Sequence, residues 1–308
     1  MRFSIAVDPG RPWHDVVALV RHVDVAGWDG VYVCDHFIPN RRDGRPADGP
    51  MLEGWTTLAA LAGVTSRIRL GTLVLGNTYR HPAVVANMAA TMDHVTSGRF
   101  VLGVGAGWQV NEHAAYGIDL PPPSRRLDQF EEACRAIRSL LREPRTTLNG
   151  VFYQFDDAAC EPKPVQSPLP LLVGGAGERR TMRIAAQHAD EWHAWGTPEQ
   201  FHHKCRVLDD HCVEIGRDPA TIQRSSGALL MVSMDPEQRA SLRVLEPLAI
   251  IGTPSAVAAH VDAYRAAGAD EFIVRDTAIL PLDRTLEMLS LFLAEVVPRL
   301  RDTPGGLG

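Results

Sequence analysis

Asp35-His36-Phe37 sets a carboxylate beside an imidazole directly after the apolar run Gly30–Cys34. An imidazole changes charge near neutral pH, so at a strand end it can serve as acid or base toward a bound molecule. The same residues also suit a turn capped by Asp35 with His36 in solvent. The sequence alone leaves both readings open.

Two glycine-rich stretches could hold a ligand. Gly103-Val104-Gly105-Ala106-Gly107-Trp108-Gln109-Val110-Asn111-Glu112 partly resembles a nucleotide fingerprint but lacks its third spaced glycine. Its glycines would let a flat ring approach the backbone closely. Gly174-Gly175-Ala176-Gly177 runs through Glu178, Arg179 and Arg180 into an expected helix. Backbone amides at a helix start, with arginines following, make a phosphate cradle; a flexible turn is the plainer alternative. A fourth stretch, Leu70 to Pro82, passes from a strand through a glycine turn into a helix opened by proline, and needs no function.

His202, His203, Cys205, His211 and Cys212 share one expected helix. Zinc needs four converging ligands at characteristic spacing, and an amphipathic surface helix explains these residues better. No metal is expected.

The elements that position these stretches alternate short apolar strands with amphipathic helices, the pattern of βα units around a parallel sheet. Strands are expected at Phe3–Val7, Gly30–Cys34, Ile68–Val74, Phe100–Val104, Leu171–Val173, Glu191–Ala194, within Ile222–Val232 and at Phe272–Val274. Helices are expected at Trp13–Ala26, Trp55–Thr65, Pro82–Thr96, about Arg125–Leu141, Glu178–His188, Pro198–Gly216, Ser255–Ala267 and Leu286–Leu300. The fold class is therefore α/β, a (β/α)8 TIM barrel of one domain over 1–301, with a doubly wound open sheet as runner-up. An insertion with an Asn149-Gly150 hairpin signal occupies about 143–170, and 302–308 reads as a flexible tail. In such barrels the active site lies at the carboxyl ends of the strands, where Asp35-His36 and both glycine stretches fall.

With 308 residues, 45% hydrophobic and 22% charged, the chain can bury a large core. A net charge of −6 provides no basic field for nucleic acid. No run approaches the roughly 18 apolar residues of a membrane span. Five cysteines without a Cys-x-x-Cys pair argue against a disulfide framework and for a reducing compartment. The expected location is cytoplasmic.

Taken together, the sequence resembles the luciferase-like monooxygenase superfamily and, within it, the F420-dependent oxidoreductases. The carrying stretches are Gly27–Phe37, Trp55–Ala62, Arg67–Thr72, Arg80–Ala86, Gly98–Gly107 and Gly252-Thr253-Pro254, in that order and spacing. The resemblance implies coenzyme F420 with His36 as proton donor or acceptor beside the hydride-transfer carbon. Asp35 would orient the imidazole or bind the cofactor. Leu73-Val74 would form a non-prolyl cis peptide propping the ring, Thr78 and Asn111 would contact its polar edge, and Gly174, Gly175, Ala176, Gly177 and Arg179 would hold its phosphate. Members are often homodimers.

Two departures bear on substrate. The sugar-phosphate dehydrogenases of that branch carry an acidic residue where Trp108 stands and a tryptophan where Asn40 stands, and their paired lysines have no counterpart here. Trp108 and Trp195, with Glu53, would instead line an apolar pocket. The expected reaction is hydride transfer between F420 and a small carbonyl, alkene or alcohol. The alternatives are an FMN-dependent monooxygenase fed by a separate flavin reductase, and a non-catalytic flavin- or deazaflavin-binding protein.

Overall fold

The structure, a computed structural model, describes residues 1–39, 48–242 and 249–301. Asn40 and the tail 302–308 lie outside the described residues. Eight parallel strands close into a barrel: β1 (Arg2–Val7), β2 (Gly30–Val33), β3 (Arg69–Thr72), β5 (Phe100–Gly105), β8 (Leu171–Gly174), β9 (Glu191–His193), β10 (Gln223–Val232) and β12 (Glu271–Arg275). The ring closes in the register Ser4↔Ile273 between β1 and β12, and Gln223↔Glu191 between β10 and β9.

Helices cover the outside: α1 (Trp13–Ala26), α2 (Gly54–Ala62), α3 (Pro82–Val95), α5 (Pro123–Arg142), α6 (Thr181–His188), α7 (Pro198–Glu214), α9 (Pro254–Ala266) and α10 (Leu282–Leu291). Their starts are chemically marked. Thr197 and Gln200 form a reciprocal capping box ahead of Pro198, and Thr253 caps α9 ahead of Pro254. His81 accepts from the Ala83 amide and opens α3, so this imidazole serves the helix. No helix among the described residues is long and apolar enough to cross a membrane.

Several elements differ from expectation. The third strand stops at Thr72, and the chain resumes pairing as β4 (Leu75–Gly76) after a cis peptide at Leu73-Val74, which is where the resemblance implied one. The helix expected from Glu178 begins at Thr181, because residues 178–180 form a turn. A short helix α4 (Val110–Tyr116), a helix α8 (Pro236–Leu242) and a strand β11 (Ala249–Gly252) stand where none was expected. The last helix starts four residues early, at Leu282, and passes through a π turn at Phe292–Val296 into α11 (Val297–Arg301).

The insertion forms the expected hairpin, β6 (Thr146–Asn149) against β7 (Gln154–Ala158). Glu132 of α5 ties down its turn by accepting from the amides of Val151, Phe152 and Tyr153.

The barrel interior is layered. Glu191 and Glu271 meet Arg2 and Arg69 at its amino-terminal end, with Ser4 and Tyr32 hydroxyls joining Glu271. This network makes an ionic floor. Above it Tyr32, Val101, Leu172 and Ile273 form a small apolar cluster, with Ala6, Leu73 and Val74 packed over it. The open end carries the site.

Candidate active site

His36 lies just past β2, all of whose residues are buried. Its Nδ1 stands 2.8 Å from Glu112 Oε1. Glu112 is fully buried on α4, and its other oxygen accepts the Phe37 amide at 2.9 Å. The Tyr79 hydroxyl also donates to Oε1. Burial alone would raise the Glu112 pKa, but the bonds from His36, Phe37 and Tyr79 outweigh it and leave the carboxyl below its ordinary value. An ionised carboxylate only accepts, so Nδ1 carries a hydrogen and Nε2 is the ring atom left to exchange a proton. Trp108, 55% exposed, stands edge-on to the imidazole with ring centroids 5.5 Å apart.

Asp35 does not orient the imidazole. Its buried carboxylate takes a bidentate bond from Arg80, at 2.7 and 3.0 Å, and one from the Gly76 amide at 2.9 Å. Arg80 reaches on to Glu53 at 2.7 Å, and Glu53 caps α2 through the amides of Trp55 and Thr56. Both Glu53 oxygens are thus hydrogen-bonded, one to Arg80 and the Trp55 amide and the other to the Thr56 amide, while the side chain stays partly exposed. The Asp35–Arg80–Glu53 chain ties the ends of β2, β4 and α2 together.

Thr78 Oγ1 lies 2.8 Å from His113 Nε2, whose Nδ1 faces the Gln109 carbonyl at 2.7 Å. A carbonyl only accepts, so Nδ1 holds a hydrogen, and an unprotonated Nε2 accepts the hydrogen bond donated by the Thr78 hydroxyl. The Thr78 oxygen therefore presents lone pairs to any other partner. Gly107, at φ +81°, packs against it; a Cβ there would stand 2.7 Å from Thr78 Oγ1. Asn111 is buried one residue before Glu112.

Val74, beyond the cis bond, lies against glycines of two neighbouring strands. A Cβ at Gly105 would stand 2.7 Å from Val74 Cγ2, and one at Gly174 2.8 Å from Cγ1. At Gly103 a Cβ would come within 1.9 Å of the Thr72 carbonyl oxygen. These inward positions therefore carry no side chain, because the Val74 side chain and the Thr72 carbonyl occupy that space, and Val74 packs directly on the backbone of β5 and β8 at the barrel mouth.

The expected phosphate loop is only partly as anticipated. The Gly175 amide donates to the His193 carbonyl at 3.0 Å, and Arg180 is held by Asp128 and Glu131 at 2.6 and 3.2 Å. Arg179 is exposed and has no bonded partner among the described residues, which leaves it as the cation beside the loop. Trp195 follows β9, across the ring from β2, and is 46% exposed.

On α7, Cys205 and Cys212 face the core, while His203 and His211 turn to Glu178. Sequence reasoning missed Glu112, Tyr79 and Arg80. Glu112 was hidden because the stretch after Gly105 reads as loop, and only α4 turns this carboxylate back toward His36.

A family model described as luciferase-like monooxygenase matches residues 1–244. The chain belongs to the luciferase-like monooxygenase family. This luciferase-like enzyme is similar to an uncharacterized protein of Mycobacterium tuberculosis, 33% identical over 213 residues, which are 65% of this chain and 74% of the relative. It is also similar to the F420-dependent glucose-6-phosphate dehydrogenase of Beutenbergia cavernae, 38% identical over 177 residues, covering 57% and 51% of the two chains. The luciferase-like chain spans about half the length of such dehydrogenases. Among solved structures, an F420-dependent secondary alcohol dehydrogenase in complex with an F420-acetone adduct superposes with a TM-score of 0.83 at 20% identity, over 98% and 99% of the chains. A monooxygenase from Streptomyces bottropensis superposes with a TM-score of 0.82 at 21% identity, over 97% and 99%. These two likenesses establish the barrel fold.

Proposed function

We propose that this enzyme transfers a hydride between coenzyme F420 and a small uncharged organic substrate, a carbonyl, alkene or alcohol, with His36 moving the accompanying proton. The observation that carries the reading is the Glu112–His36 bond, which directs Nδ1 inward and leaves Nε2 at the barrel mouth. The cofactor supplies a two-electron hydride donor or acceptor that reacts poorly with oxygen, so reduction or dehydrogenation is the expected chemistry.

The chain's residues fit such a group. Gly103, Gly105 and Gly174 let Val74 sit close against the backbone of β5 and β8, where its side chain would prop a flat ring. Thr78 and Asn111 would hold its polar edge, Gly174 to Gly177 with Arg179 would hold its phosphate, and Asp35 would act indirectly by holding Arg80 and the Gly76 amide. His36 Nε2 gives a proton to the substrate oxygen as carbonyl becomes alcohol, or takes it in the reverse direction. Glu112 keeps the ring oriented and stabilises it while charged. Trp108 shields one edge of the imidazole from water.

A sugar phosphate does not suit this site. Lys163 donates to the Leu140 carbonyl of α5 and Lys204, on α7, to Glu178, and Trp108 stands beside His36 in place of an acid. Residues 1–301 act as one catalytic barrel, the location is cytoplasmic, and the assembly is a homodimer.

Titration of the purified protein with F420 and with FMN tests the reading. F420 should bind at micromolar concentration or tighter and FMN much more weakly. Equal or tighter FMN binding would replace it with the flavin monooxygenase alternative, and binding without turnover on an alcohol and carbonyl panel would leave a carrier protein.

A further inference from the structure

His193 is a second imidazole inside the barrel, and the reaction outlined above gives it no task. Strand alternation places it there. Trp192 faces outward and stacks on Phe201 of α7, so Glu191 and His193 on either side face inward. Glu191 belongs to the ionic floor, and His193 stands one layer above it. Its Nδ1 lies 3.0 Å from Ser225 Oγ, which also reaches the Trp192 carbonyl at 3.4 Å. The ring is 3% exposed, and Nε2 is buried with no hydrogen-bond partner among the described residues. A buried polar atom without a partner is destabilising and calls for an explanation. Trp195 lies edge-on to the ring at 4.5 Å and crosses Gly227, where a Cβ would meet it at 3.0 Å.

We propose that His193 Nε2 is the hydrogen-bonding anchor for an uncharged oxygen, hydroxyl or carbonyl, of a small ligand that enters beneath Trp195. The rest of this layer is apolar around Leu172 and Ile273, so one polar atom there selects for one oxygen substituent. Ser225 makes the anchor adaptable. When its hydroxyl donates to the Trp192 carbonyl, Nδ1 holds the ring hydrogen and Nε2 accepts from an alcohol. When the hydroxyl donates to Nδ1, Nε2 holds the hydrogen and donates to a carbonyl. The pair can thus serve both members of an alcohol–carbonyl couple without becoming charged, and burial supports this by pushing the imidazole pKa down to about 3. A neutral ring offers nothing to balance a phosphate or carboxylate.

This proposal rests on the hydride-transfer reading for its substrate class, yet it is tested without turnover. Protein labelled with 15N-histidine and saturated with F420 is titrated with cyclohexanol, cyclohexanone and methylcyclohexane. The His193 Nε2 resonance should shift with the two oxygenated probes, in opposite tautomeric directions, and stay still with the hydrocarbon. H193F should lower affinity for the oxygenated probes by roughly 3- to 10-fold, the worth of one neutral hydrogen bond, without changing hydrocarbon binding or F420 affinity. S225A, a smaller change, should retain binding and lose the two-way tautomer response. An unmoved Nε2 resonance, or a loss of F420 binding in H193F, overturns the proposal. Failure of the wild type to bind F420 is read separately from the cofactor's absorbance and overturns the cofactor reading instead.

Discussion

Glu112 holds His36 by its inner nitrogen at 2.8 Å, although the two residues lie 76 positions apart. One carboxylate settles which imidazole atom faces the barrel mouth. Tyr79 and the Phe37 amide fix the carboxylate in turn, so the acid–base group rests on a braced support.

His36→Ala should cut turnover by roughly 10²–10⁴, the usual worth of general acid–base help. F420 affinity should stay within a few-fold of wild type. Steady-state rates on a responsive alcohol or carbonyl, beside a fluorescence titration of the cofactor, make the check, and near-normal turnover with an unchanged pH profile removes His36 from the mechanism.

Glu112→Gln should lower kcat more than it raises KM, because the amide cannot stabilise an imidazolium. It should also alter acid stability. The folded Glu112 pKa lies below its ordinary value, so this group's contribution is fully present above about pH 4.5 and disappears as pH falls through the lower folded value. Chemical denaturation of wild type and variant from pH 7 to 3 should show a gap that narrows with acid.

His193 has the opposite sense relative to its ordinary charge state. Its folded pKa, about 3, lies under the ordinary 6.5, so the unfolded chain takes the proton first. Stability is unaffected above about pH 6.5 and declines as pH falls from there toward 3. H193F, lacking that proton, should decline less over this window than wild type when both are followed by denaturant melts.

Arg69→Met should destabilise the fold by about 3 kcal/mol, since it leaves Glu191 and Glu271 to share Arg2 as the remaining cation of the barrel floor among the described residues. The loss should shrink when Glu191→Gln is added. A thermal melt of the single and double variants decides it.

Gly103→Ala should destabilise by about 1–3 kcal/mol and weaken F420 binding together, because its Cβ would stand 1.9 Å from the Thr72 carbonyl oxygen and within 3.2 Å of Val74. Equal stability and affinity to wild type would show that the packing of Thr72 and Val74 has slack at this point.

The barrel was legible in the sequence because its evidence is local. Apolar runs such as Gly30–Val33 and Phe100–Gly105 declare strands, the Thr-Pro starts at Thr197 and Thr253 declare helices, and the strand-end rule then puts His36 at the mouth. The glycines at 103, 105 and 107 were recognisable as places where the backbone can be approached closely, and Gly174 to Gly177 as a loop ahead of a helix. Pairings between side chains are not local. Asp35 adjoins His36 in sequence, yet the end of the strand turns the two apart, and Asp35 goes to Arg80 while Glu112 arrives from α4 to meet the imidazole. His193 reads from sequence as a strand residue set apart from the chemistry; closing the sheet faced it inward beside Ser225, 32 positions away. Periodicity tells which face of an element a residue occupies, but only closure of the barrel decides which residue stands opposite it.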